Sequence, residues 1–280
     1  MAGMVINTNL ASINSQRMLD RTQNDLKTSM ERLSSGLRVN SAKDDAAGLA
    51  IANRMASQIG GMAVAIRNAN DGISLAQNAE SAMGVLTNTM QRMRDLAVQS
   101  ANDGGVTAAD REKLNEEFKQ LNSELTRIIT STEFNGKKII NGSLAGGVAM
   151  QVGANTASDN RIAISVGDLA SVIISVTTAS IGSGAAASGA RAAIDAIDNA
   201  IKAVDTSRAK LGAIQNRFTT TIANLQSSIE NQSAAKSRIT DADFAMETAN
   251  LSRNQILQQA GTAMLAQANQ STQSVLKLLQ

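Results

Sequence analysis

The chain has 280 residues, 43% apolar but only 1% aromatic, and its 26 basic and 24 acidic side chains leave a net charge of +2. It contains no cysteine, histidine, proline, tryptophan or tyrosine. These absences exclude disulfides, His-based catalytic arrangements and the usual zinc sites, and without a basic cluster or aromatic stacking platform nucleic-acid binding is not expected.

The lack of proline permits long helices, because an interior proline removes a hydrogen bond and clashes with the preceding turn. The opening residues Met1 to Ile6 carry neither a charged leader nor an apolar stretch, so no cleaved signal peptide is expected. No apolar run is long enough for membrane insertion.

A first helix is predicted from about Asn9 to Leu37, with Leu19, Leu26, Met30, Leu33 and Leu37 at alternating spacings of three and four. At ~1.5 Å per residue it spans roughly 45 Å. A stripe repeating about every 3.5 residues is a coiled-coil seam and needs a partner helix. Asp44 and Asp45 open a second helix, along which Met55, Met62, Ala69, Ala76, Met83, Met90 and Met93 follow the same rhythm until Asn102 to Gly105 supply a turn. The many methionines on this seam suit flexible core packing.

Thr107 and Asp110 resemble a capping box for a third helix carrying Leu114, Phe118, Leu121, Leu125 and Ile128. From Asn141 to Ala190 the only charged residues are Asp159, Arg161 and Asp168, and Val148/Met150/Val152 and Ile162/Ile164/Val166 alternate. That pattern predicts a small β region of two to four strands. Helix resumes near Arg191 with Ile194, Ile197, Ile201, Val204, Leu211 and Phe218, where Arg208 and Gln215 occupy seam positions. Thr240 to Asp243 open a last helix bearing Leu257, Met264, Ala268, Val275 and Leu279. The predicted fold is mainly α. It is a long antiparallel helical hairpin, a coiled-coil rod with a small β-hairpin region at about residues 137–180 at its distal tip and both termini together at the other end.

Ser34-Ser35-Gly36-Leu37-Arg38-Val39-Asn40 and Asp44-Asp45-Ala46-Ala47-Gly48-Leu49-Ala50-Ile51-Ala52 resemble the N-terminal signature of bacterial flagellin. Ser237-Arg238-Ile239, Gln255-Ile256-Leu257, Gln259-Ala260-Gly261 and Gln267-Ala268-Asn269-Gln270 resemble its C-terminal signature. The resemblance covers about residues 1–155 and 190–280. It implies a structural subunit that self-assembles into the extracellular filament used as a propeller in swimming.

By the same resemblance, residues 1–43 and 236–280 form the two halves of an inner-core helical domain and residues 44–235 an outer shell. The inner-core packing residues are then Leu19, Leu26, Met30, Leu33, Leu37, Leu257, Met264, Ala268, Val275 and Leu279. The implied partners are further copies of the chain, an export chaperone, the filament cap and the hook-junction proteins. Export without a cleaved signal peptide is implied as well. Gln91, Arg92, Arg94, Asp95 and Leu96, with Glu117 on the next helix, match a family stretch that contacts neighbouring subunits and, in some flagellins, an innate Toll-like receptor of the host. Asp95 stands where receptor-active relatives have Glu. O-glycosylation, known in some flagellins, would fall on Ser143, Thr156, Ser171, Thr177 or Ser180.

Asp241, Asp243 and Glu247, like Asp44 and Asp45, are accounted for by helix capping, and neither metal nor cofactor is expected. A hook–filament junction protein sharing the terminal helices is the alternative within the resemblance. An enzyme and a helical adhesin are alternatives outside it.

Overall fold

Asn9 starts the first helix by accepting the Ser12 amide through its side chain. Gly36, at φ 71°, ends it in the left-handed conformation that a residue without Cβ adopts most readily. Between them runs α1, Leu10–Ser35. A computed structural model describes residues 8–182 and 187–277, with side chains as far as residue 271. In chain order there follow α2 (Ala46–Ser100), α3 (Ala108–Ser131), β1 (Glu133–Phe134), β2 (Lys137–Lys138), β3 (Val148–Gln151), β4 (Arg161–Ile164), α4 (Leu169–Thr177), α5 (Ala187–Thr240) and α6 (Phe244–Lys277). The mainly α architecture, with long helices and a small antiparallel β region, agrees with the sequence expectation.

Local chemistry accounts for the breaks between elements. Thr107 caps α3 by accepting the Asp110 amide. Asn135 and Gly136, at φ 50° and 74°, supply the positive-φ pair that a two-residue hairpin between β1 and β2 requires. β3 and β4 pair antiparallel in the register Val148↔Ile164 to Gln151↔Arg161. The segment after β4 departs from the strand expectation. Its β-branched residues read as strand, yet Asp168 caps a helix in which Leu169, Ile173 and Val176 recur at helical spacing and are buried. Burial on one face outweighs the β-propensity.

The chain divides into two compact units, Met1–Ser57 with Glu230–Gln280, and Gln58–Ile229. In the second, α3 and the α5 portion both run antiparallel to α2. Arg92 meets Glu117 and Asn78 meets Glu133, while Arg94 meets Asp198 and Gln215 meets Glu80. The core combines Met83, Leu86, Met90 and Met93 with Leu125, Ile197, Val204 and Leu211. Phe118 and Phe218 are fully enclosed there. Ala69, Ala76, Ala79, Ala193 and Ala200 are completely buried, and such small side chains let helix backbones approach closely. α4 is anchored along α3, where Asn122 donates to the Thr177 carbonyl and Asn115 accepts the Ile181 amide.

Gly72 makes room for the Phe218 ring, because a Cβ there would lie 2.8 Å from Phe218 Cζ, whereas one at Gly84 would meet nothing within 4 Å. Gly72→Ala is expected to destabilise the unit by about 1–3 kcal/mol through overpacking. Gly84→Ala is expected to stabilise it by up to about 1 kcal/mol through helix propensity. Urea unfolding measures both, and shifts of the same sign would refute this packing.

Candidate assembly surfaces

Within the first unit, α1 and α6 run antiparallel. Arg32 lies 3.8 Å from Glu247, Gly261 sits against Leu19, and the Asn9 side chain donates to the Ala268 carbonyl. Buried and half-buried positions follow a 3/4 ladder on each helix, with Arg32 and Asn250 half-buried beside it. On α1 it is Ser12, Ser15, Leu19, Thr22, Leu26, Ser29 and Leu33; on α6 it is Glu247, Leu251, Asn254, Gln258, Gly261, Leu265 and Ala268. That is the 3.5-residue period of a two-helix seam. More than half of the seam is polar or glycine.

The large apolar side chains of the same helices lie largely outside this seam. Leu10, Ile13, Met18 and Met30 are exposed on α1, and Phe244, Met246, Ile256, Leu257 and Met264 on α6. Leu10 and Ile256 leave 67% and 66% of their area open to solvent. Of the sequence-derived packing residues, Leu19, Leu26, Leu33 and Ala268 therefore lie in the seam, while Met30, Leu257 and Met264 flank it with about half or more of their surface exposed. Leu37 sits in the turn after α1; Val275 falls within α6, and Leu279 lies outside the described residues. The polar seam positions were missed because only apolar residues were followed. The same 3/4 spacing of Ser12, Ser15, Thr22 and Ser29 was the signal.

The turns that close off α1 and open α6 are tied to each other by main-chain hydrogen bonds. The Arg38 and Val39 amides donate to the Thr240 carbonyl, the Ala242 amide donates to the Gly36 carbonyl, and Leu37 bridges Asp241. Aspartates complete the turns. Asp243 accepts the Ala245 and Met246 amides at the start of α6, and Asp45 accepts the Gly48 amide at the start of α2. Asp241 accepts from the Thr240 hydroxyl. The Ser237 and then the Thr240 hydroxyl hold its carboxyl below the usual range. Among the described residues no group of three or more His, Cys, Asp or Glu side chains is placed to hold a metal ion. No described helix is long and apolar enough to cross a membrane.

In the second unit, Gln91, Arg92, Asp95 and Glu117 are exposed on neighbouring positions of α2 and α3. Arg92 donates twice to one Glu117 carboxylate oxygen, at 3.0 and 2.6 Å. Arg94 donates to both carboxylate oxygens of Asp198, which raises its pKa further. Leu96 does not join this exposed set: only 1% of its surface is open and its side chain belongs to the core. Its place in the 3/4 stripe of α2 explains that burial.

The five candidate hydroxyls also separate. Ser143 donates to Asn141, Ser171 to the Asp168 carbonyl, Thr177 to the Ile174 carbonyl and Ser180 to Asn115. Thr156 is exposed, and its hydroxyl has no intramolecular acceptor among the described residues.

The paired terminal helices bury a largely polar seam and leave large apolar side chains uncovered within the chain. Comparison with known proteins gives the family. A family model described as the bacterial flagellin N-terminal helical region matches residues 6–145, and one described as the C-terminal helical region matches residues 194–279. A flagellin of Halalkalibacterium halodurans is 46% identical over 276 residues, 99% of this chain and all of that protein. Flagellin A of Vibrio cholerae is 37% identical over an alignment covering 98% of this chain and 99% of that protein. The crystal structure of Bacillus cereus flagellin superposes with a TM-score of 0.50 at 28% identity, covering 61% of this chain and 94% of that one. The chain belongs to the bacterial flagellin family. It is a structural, non-enzymatic subunit that self-assembles into the extracellular filament of the bacterial flagellum and serves motility.

Asp44 gives the turn region a pH dependence. Its carboxylate accepts the Ser41 amide and hydroxyl and the Asn40 amide. These bonds, Ser41's first, with the Arg32 charge adding, hold its carboxyl below the usual aspartate range. A depressed carboxylate pKa stabilises the turn fully above the unfolded value, about 3.9, and that stability is lost as the pH falls through the lower folded value. Amide exchange at Asn40 and Ser41 is expected to show constant protection between about pH 5 and 8 and to lose it only as the pH falls below the unfolded carboxylate value. In Asp44→Ala the protection should already be absent at neutral pH. Undiminished protection in that variant would rule out the carboxylate's role.

Proposed function

We propose that residues 1–43 and 236–280 form the inner core of the filament and residues 44–235 its outer shell. The outward-facing apolar side chains of α1 and α6 carry this reading. A large apolar side chain buried from water contributes about 1.5–3 kcal/mol, and within one subunit these residues gain little of it. Neighbouring copies supply the missing cover through heterologous contacts that extend into a helix rather than closing a ring.

The division also suits transport. Helices with a weak seam are cheap to unwind, which fits export through the flagellar channel without a cleaved signal peptide, with a chaperone shielding the apolar faces beforehand. The filament cap and the hook-junction proteins would present matching faces at the two ends of the polymer.

Purified chain added to filament fragments is expected to lengthen them. Ile256→Asp puts a charge at an α6 side chain that is 66% exposed. It should leave the helical circular dichroism unchanged while slowing elongation by about tenfold or more. Elongation at the wild-type rate would reject this surface.

The exposed set Gln91, Arg92, Asp95 and Glu117 is proposed as a second contact surface, between subunits and, on the free monomer, for the host Toll-like receptor. Its support is the matching family stretch together with the exposure of the Arg92–Glu117 pair. Arg92→Ala removes the guanidinium from that surface and is expected to weaken receptor binding by the monomer by about tenfold. Equal affinity of variant and wild type in a direct binding assay would dismiss the receptor role and leave subunit contact standing.

A further inference from the structure

The chain's twelve methionines divide sharply by exposure. Met62, Met83, Met90 and Met93 of α2 are buried in the second unit, with 7% exposure at most. Met55 and Met150 are half-buried. The strongly exposed ones among the described residues are Met18, Met30, Met246 and Met264, at 57%, 55%, 64% and 63%. All four lie on α1 or α6. Met18 and Met264 line one apolar hollow of about 370 Å3 between these helices, together with Leu19, Leu257 and Gly261.

A thioether reacts with peroxides in proportion to its access to them. A sulfur lone pair attacks one peroxide oxygen, the O–O bond breaks and the sulfur becomes a sulfoxide. The sulfur loses two electrons, and the hydrogen peroxide is reduced to water. The product replaces a flexible apolar side chain with a polar one. In the helix core of the second unit this reaction is blocked by burial. On α1 and α6 it strikes the side chains that an assembling neighbour must cover.

We propose that Met18, Met30, Met246 and Met264 are modification sites through which a peroxide switches the free subunit from assembly-competent to assembly-incompetent, reversibly by methionine sulfoxide reduction. The proposal rests on the reading of the outer faces of α1 and α6 as assembly surfaces. It adds that these surfaces are redox-sensitive while the buried core methionines of the second unit are not.

The test treats the full chain with hydrogen peroxide, maps sulfoxides by peptide mass and follows seeded elongation. Sulfoxide is expected first at the four exposed positions, with Met83, Met90 and Met93 spared, and elongation should fall by about tenfold or more. Treatment with methionine sulfoxide reductases acting on both sulfoxide epimers should restore it. The variant Met18→Leu/Met30→Leu/Met246→Leu/Met264→Leu should elongate equally well before and after peroxide. Undiminished elongation by oxidised wild type, or a fourfold variant as sensitive as wild type, would overturn the proposal alone. Failure of untreated wild type to elongate seeds would instead strike the assembly reading beneath it.

Discussion

Two helices pressed together can each bury only one face, and in α1 and α6 that face is largely polar. Ser12, Ser15, Thr22 and Ser29 meet a seam that includes Glu247, Asn254 and Gln258. Leu10, Ile13, Phe244 and Ile256 stay in water. A polar seam fixes register at a cost in stability. The pair is therefore well specified and incompletely satisfied. The chain belongs to a family whose subunits polymerise, and further copies of the same pair are the partner proposed above.

The second unit has the opposite character. Its helices enclose an apolar core in which both Phe118 and Phe218 are sealed and alanines thin the contacts between helices. Side-chain hydrogen bonds from Asn115 and Asn122 tie the short α4 segment onto α3, so the middle of the chain completes this unit rather than forming another. One sequence thus combines a unit that folds to completion with one whose surface awaits copies of itself. The two properties are separable because they reside on different residues.

Much of this was legible in the sequence. The 3/4 periodicity, the Gly36 stop and the Thr107 cap all correspond to observed features, since each is a local signal. What was not legible depended on tertiary context. Leu169 to Thr177 carries β-branched residues that favour strand by propensity, and only burial of Leu169, Ile173 and Val176 on one side makes it a helix. Met30, Leu257 and Met264 share the apolar character of Leu19, Leu26 and Leu33 yet lie beside the seam rather than in it. Hydrophobicity marks a residue that wants cover without saying whether cover comes from within the chain. Leu96 shows the converse, an apolar residue amid an exposed polar stretch that turns inward.

The tie between the turns after α1 and before α6 has a mechanical meaning. It includes main-chain bonds from Arg38, Val39 and Ala242, which do not depend on side-chain identity, beside one from the Arg38 guanidinium to the Ile239 carbonyl. Two strands of the chain pass this level, and the tie links them side by side. Tension along one connector is shared with the other before either turn can straighten, as in two ropes lashed together at one height.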